Sequence, residues 1–246
     1  MRLLLVNANT TEAITAACAE AARRAAAPGT AVFPLTARFG PAVIANRAEN
    51  AVAAHAVLDL LGEHGEGADA VLLAVSFDTG LAAARETLSI PVVGMTEAAC
   101  LFACALGGRF GLISFSSAAM YRELVAGYGL GARLAGIALI DSTPAEAAAA
   151  PEAVASKVEA AAQDLARAGA MSVVLAGAAF SALGPRLTAG VPVPLIGGIA
   201  AGVKLAEALV ALRLSRPPPA APAAPRTSHG LSPALAALLA RTPAGR

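Results

Sequence analysis

Ser76 and Asp78 close an apolar run, Val71-Leu72-Leu73-Ala74-Val75-Ser76-Phe77-Asp78-Thr79-Gly80. A second run of the same build, Val173-Val174-Leu175-Ala176-Gly177-Ala178-Ala179-Phe180-Ser181-Ala182, ends in small residues. Loops of this kind leave backbone N–H groups free to hold a developing oxyanion. Asp78 is placed to act as a base in such a loop, or to cap the helix that follows Thr79-Gly80. Ser76 becomes a nucleophile only where a neighbour activates it. Asn7, Asn9 and Thr10 end an earlier apolar run and open a helix. Free N–H groups and the helix dipole favour an anionic ligand group there, and a plain strand-to-helix cap is the alternative. Ser114, Ser116 and Ser117 hold the matching place in the second half of the chain.

The elements that must position these residues alternate. Leu3-Leu4-Leu5-Val6 is a short run suited to a strand buried on both faces. A helix over residues 12–27 is stopped by Pro28-Gly29, a strand follows over 31–35, and a helix over 47–63 leads into the first loop. After Met95 the pattern restarts, with a helix over 97–106, a strand over 110–115 and a helix from 117 to about 128. A strand over 134–139, a helix over 151–168, the second loop and a last helix over 202–214 complete it. Each key run is followed by a second run after proline, Ile90-Pro91-Val92-Val93-Gly94 and Val191-Pro192-Val193-Pro194-Leu195-Ile196-Gly197. This order predicts an α/β protein of two similar Rossmann-like lobes with parallel sheets and a cleft between them, ligands lying at the C-terminal strand ends. Lobe one takes residues 1–95 with 203–215 and lobe two takes 96–202. From residue 216 the Pro/Ala-rich composition favours an extended, disordered tail to 246, in which residues 232–241 have the pattern of a short apolar helix.

Composition narrows the classes. A formal charge of +1 and the absence of Trp give no case for nucleic acid. No apolar run reaches the roughly 20 uninterrupted residues of a membrane span, and the chain enters a strand at once, without a leader pattern. A cytoplasmic protein with a small-molecule partner is expected, and self-assembly stays open. Cys18, Cys100 and Cys104 lack zinc spacing and read as buried small hydrophobes, so no metal is expected. His55, His64 and His229 avoid strand ends and read as exposed or capping residues. No Gly-rich segment continues into Lys-Ser/Thr, which excludes a nucleotide P-loop.

Over residues 1–214 the chain resembles the Asp/Glu/hydantoin racemase superfamily, most closely its hydantoin and allantoin racemase branch. The pieces are Leu5-Val6-Asn7-Ala8-Asn9-Thr10-Thr11, Gly40-Pro41 with Ile44, Phe77-Asp78-Thr79-Gly80-Leu81 with Ala84-Arg85-Glu86, and Pro91-Val92-Val93-Gly94-Met95-Thr96-Glu97-Ala98. To these add Leu106-Gly107-Gly108-Arg109-Phe110 and Gly190-Val191-Pro192-Val193. The resemblance implies cofactor-independent chemistry with two cysteines, one on each face of a carbon next to a carbonyl. One thiolate removes the proton and the opposite thiol returns it. The registers of those cysteines fall on Val75 and Gly177, and aligning the two internal copies pairs the same two positions. Neither residue can carry a proton.

Two functions remain in view. One is an isomerase or related decarboxylase acting on a small carboxylate, amino acid or hydantoin-like ureide through a cysteine-less site, with Ser76 and Asp78 as catalytic candidates. The other is a non-catalytic small-anion-binding protein on the same scaffold. Either way, Asn9, Ser76, Phe77, Asp78, Thr79, Ser114, Gly177, Ala178 and Ala179 are expected to line one pocket.

Overall fold

The computed structural model describes residues 1–143, 146–147, 150–182, 190–215 and 228–240. Its first half is built on β1 (Arg2–Asn7), β2 (Ala31–Thr36), β3 (Ala70–Leu73) and β4 (Val92–Gly94), with α1 (Glu12–Ala25), α2 (Arg47–His64) and α3 (Leu81–Thr87) between them. All pairings are parallel, in the order β2-β1-β3-β4. Leu3, Leu4, Leu5 and Val6 of β1 and the whole of β3 are buried, as continuous apolar runs in a covered parallel sheet should be.

The second half repeats the plan. After α4 (Met95–Ala105) come β5 (Arg109–Ser114), α5 (Ala118–Gly127), β6 (Leu134–Leu139), α6 (Pro151–Arg167), β7 (Ala170–Leu175) and β8 (Leu195–Gly197). The second sheet is again parallel, in the order β6-β5-β7-β8. The α/β architecture expected from the alternating runs is therefore the observed one, two sheets of four strands with the same order. A last helix of this half, α7 (Gly198–Ala211), packs on α4 and reaches back to α1, β3 and β4. Its seating depends on glycine: a methyl group at Gly198 would meet Met95, and one at Gly202 would overlap Leu72. The sequence places the start of this helix four residues late, since two glycines at its N-terminus weaken the helical signal.

The segment assigned to a disordered tail contains a docked helix, α8 (Pro233–Ala240), packed on α2. Leu235 and Leu238 are buried against it, and a side chain at Gly62 would strike the Ala234 carbonyl. Ser232 accepts from Leu235 N–H (3.1 Å) and donates to Asp59, which also binds Arg38 (2.7 Å). This helix lies within the short apolar pattern of residues 232–241, and two leucines on one face suffice to hold it. Residues 216–227 and 241–246 lie outside the described residues. No helix among the described residues is long and apolar enough to cross a membrane.

Candidate functional site

Parallel strands deliver their C-terminal ends to one side of each sheet, and the two sheets bring those ends together. A cavity of about 250 Å³ lies there. The ends of β1, β3, β5 and β7 supply Asn9, Val75, Ser76, Ser114, Ser116, Gly177, Ala178 and Ala179. The loops after β2 and β6 add Val43, Ile44, Ser142 and Thr143, and Ile14, Phe115 and Tyr121 complete the wall.

Asn9 Oδ1 accepts from Thr11 N–H (2.9 Å) and from Asn7 Nδ2 (2.9 Å), which leaves the Asn9 amide N–H₂ without a partner among the described residues. Ser114 donates to the Ala176 carbonyl (2.7 Å), and the Tyr121 phenol donates to Ser76 Oγ (2.8 Å). The phenol oxygen also lies 2.8 Å from Ser114 Oγ and 3.1 Å from the Ala176 oxygen. One phenol thus joins Ser76 of the first half to Ala176 of the second. Since the phenol proton goes to Ser76, the Ser76 hydroxyl is left to donate into the cavity. Burial pushes the Tyr121 pKa up to about 12, against the lowering effect of its contacts with Ser114 and Ser76, so the phenol is a donor and not a base at neutral pH. It is the sole titratable side chain among the described lining residues.

Phe77, Asp78 and Thr79 turn the other way. They line a second, more open cavity of about 850 Å³ with Arg85, Glu97 and Tyr128. Asp78 is buried, and its carboxylate accepts from Thr96 N–H (3.0 Å), Glu97 N–H (2.8 Å) and the Tyr128 phenol (2.6 Å). It caps the N-terminus of α4, not α3, whose N-cap is Gly80. Burial raises its pKa to about 7 despite these donors. With both carboxylate oxygens engaged outside the first cavity, Asp78 has no geometry for abstracting a proton there. Phe77 stacks on Tyr121 at 4.6 Å, and Thr79 donates to Asn50 Oδ1 (2.6 Å). Of the residues named from sequence, Asn9, Ser76, Ser114, Gly177, Ala178 and Ala179 meet in one cavity, and Phe77, Asp78 and Thr79 do not.

Gly177 is covered by aromatic rings. A Cβ built there would stand 2.8 and 2.9 Å from two ring carbons of Phe180 and 3.3 Å from Phe115. The two rings stack at 4.3 Å with planes 15° apart. Phe180 therefore fills the space that a side chain at 177 would need.

Tyr121 and Tyr128 do not stand at strand ends, and strand-end position does not reveal them. Both lie on or beside α5, seven residues apart and so on one helix face. They are the chain's two tyrosines, a rarity that was legible. His55 sits edge-on to Phe39 and His64 lies beside Glu63, both away from the cavities.

Cys18 and Cys100 are buried and Cys104 partly so, and none lines either cavity. Burial pushes the Cys18 thiol up to about 12 and raises that of Cys100 as well. Alkylation of the native protein is expected to reach Cys104 first and the other two only on unfolding. A small ligand should protect none of them, and a thiol that labels quickly and is shielded by ligand would contradict this placement.

Residues 3–206 match the profile of the Asp/Glu/hydantoin racemase family. A hydantoin racemase of Pseudomonas sp. (strain NS671) is 32% identical over 220 residues, 86% of this chain and 87% of the relative. The solved allantoin racemase from Klebsiella pneumoniae superposes with a TM-score of 0.83 at 31% identity, covering 96% of this chain and 93% of its own. That from Pseudomonas fluorescens gives 0.81 at 32% identity, covering 87% and 93%. With the paired parallel sheets, the cleft at their strand ends and a match running through both halves, this chain belongs to the Asp/Glu/hydantoin racemase family.

Proposed function

We propose that this chain binds a small hydantoin-like ureide or carboxylate in the cavity between its sheets and does not invert it by the two-thiol route. The reading takes residues 1–95 with 203–215 as one lobe and 96–202 as the other. The observation that carries it is the chemistry of the lining: an amide N–H₂, hydroxyls and small-residue loops, with Tyr121 protonated and Asp78 turned away. Backbone N–H groups of Ser76, Phe77, Ala178 and Ala179 make no hydrogen bond among the described residues, which suits binding of a carbonyl or carboxylate oxygen. Proton abstraction from carbon needs a base with a pKa near the working pH, and a serine that accepts from a neutral phenol is not one.

A second reading draws on the same hydroxyls. Loss of CO₂ from a malonate-like substrate leaves its electron pair as an enolate, needs no base, and requires a proton donor such as Ser76 to complete the product. Hydantoin, allantoin, aspartate, glutamate and a phenylmalonate are therefore the panel to test by thermal shift. Carbon-bound proton exchange in D₂O and CO₂ release are followed alongside, each against the protein-free rate. The expected result is a shift with a ureide and exchange no faster than buffer. Exchange accelerated by the parent protein would overturn the first reading, and CO₂ release would establish the second.

A further inference from the structure

The turn from Val75 to Asp78 has a different task on each side. Ser76 faces the small cavity, and two residues later Asp78 faces the larger one. Three contacts fix this turn from outside. The Thr96 hydroxyl donates to the Ser76 carbonyl (2.7 Å), the first N–H groups of α4 grip the Asp78 carboxylate, and Tyr128 reaches it from the end of α5. Asp78 itself adopts a left-handed backbone, with φ of 46°, a conformation that costs free energy and persists where the surroundings enforce it. Gly94 makes room for the carboxylate, since a methyl group there would overlap its Cγ and both oxygens. Tyr128 follows the first strand of the second sheet and Asp78 follows the third strand of the first, so their hydrogen bond joins the two halves. Arg47 and Glu123 join them again at 2.5 Å along the same groove, although both are well exposed to solvent.

We infer that Asp78 is a positioning residue: clasped by Tyr128 and the start of α4, it holds the Val75–Asp78 turn so that the Ser76 hydroxyl and the turn's N–H groups stand in the ligand cavity. The inference rests on the reading of that cavity as the binding site. The groups facing Asp78 are Arg85 on α3, Glu97 and Cys100 on α4, and Tyr121 and Tyr128 from the α5 side. The carboxylate titrates near pH 7, burial being the main cause. Above that pH it accepts all three donors. Below it, the carboxyl is neutral and the hydrogen bonds from the two N–H groups and the phenol lose their charge assistance, which loosens the turn.

Three measurements test this on the full chain. Hydrogen exchange of the segment spanning residues 74–80 should quicken about tenfold or more in Tyr128→Phe and in Asp78→Asn, while β1 keeps its protection; a hydrogen bond to a charged group is worth about that factor. The tyrosine band in near-UV circular dichroism comes from Tyr121 and Tyr128 alone, since Trp is absent. It should change with a midpoint near pH 7 in the parent and stay flat in Asp78→Asn. Whichever panel ureide the parent binds should bind about tenfold more weakly to both variants at pH 8. Its affinity for the parent should fall as pH drops below 7. Arg47→Ala, in the same groove but exposed, should bind as the parent does.

Unchanged exchange in the 74–80 segment, or a parent band without that midpoint, overturns the clasp. Faster exchange with undiminished ureide affinity overturns the positioning role. If no panel compound binds the parent, the reading of the cavity fails, while the exchange and dichroism results still decide whether Asp78 holds the turn.

Discussion

A Val75→Cys/Gly177→Cys/Phe180→Met variant exchanges the carbon-bound proton next to the carbonyl of a bound hydantoin for solvent deuterium and racemises it, whereas the parent stays at the buffer rate. The expected gain is about 100-fold or more over buffer, the range that a positioned acid or base contributes. Both positions line the small cavity, one at the end of β3 and one at the end of β7, so two thiols there would flank a ligand lying between the sheets. Each single cysteine variant should exchange the proton of one enantiomer slowly and invert little, because inversion needs a donor on the opposite face. The third substitution follows from the packing. With Phe180 in place, a Cβ at residue 177 meets ring carbons at 2.8 and 2.9 Å, and the ring is itself buried against Phe115. Methionine keeps much of the apolar volume and bends out of the way. The Val75→Cys/Gly177→Cys double variant with Phe180 retained should therefore be less stable and less active than the triple. Chiral chromatography with deuterium counting decides it. A folded triple variant that binds the hydantoin without exchange would mean the cavity no longer presents the reacting carbon to these positions. Equal activity from Ser76→Cys would move the first register by one residue.

The fold was legible in the sequence because buried parallel strands are written as short continuous apolar runs, and this chain writes the same series twice. Strand ends were legible too, so Asn9, Ser76, Ser114 and Gly177 could be named together. What a turn does with its side chains is another matter. Ser76 and Asp78 sit two residues apart on a turn with a left-handed residue, and neither periodicity nor composition states that one points into the cleft and the other into α4. Tyr121 lies inside a helix, where strand-end position carries no signal. In the sequence Phe180 belongs to an apolar run, and its ring over Gly177 decides whether a side chain fits there. The Ser76–Tyr121 and Asp78–Tyr128 contacts join residues far apart in sequence, the kind that local patterns do not carry.

Replacing Gly94 by alanine is expected to cost about 3–5 kcal/mol, the range for breaking a buried, paired charge, and to lower Tm by roughly 10 °C. Gly94 has an ordinary extended backbone, with φ of −85°, so the need for glycine is one of space and not of conformation. The added methyl overlaps the Asp78 carboxylate, and that group has nowhere to retreat: Thr96 N–H, Glu97 N–H and the Tyr128 phenol hold it within 3.0 Å. Something must give, either the start of α4 or the Val75–Asp78 turn, and in both cases a buried carboxylate loses donors. The origin of the loss can be isolated with a double-mutant cycle. Asp78→Ala alone should also destabilise, because it strands two N–H groups and a phenol. In that background the alanine at 94 no longer meets a carboxylate, so its further cost should fall to about 1 kcal/mol or less, a coupling typical of residues in direct contact. Thermal or urea unfolding of the four proteins measures it. Strictly additive losses would show that Gly94 is required for a reason other than the seat it leaves for Asp78.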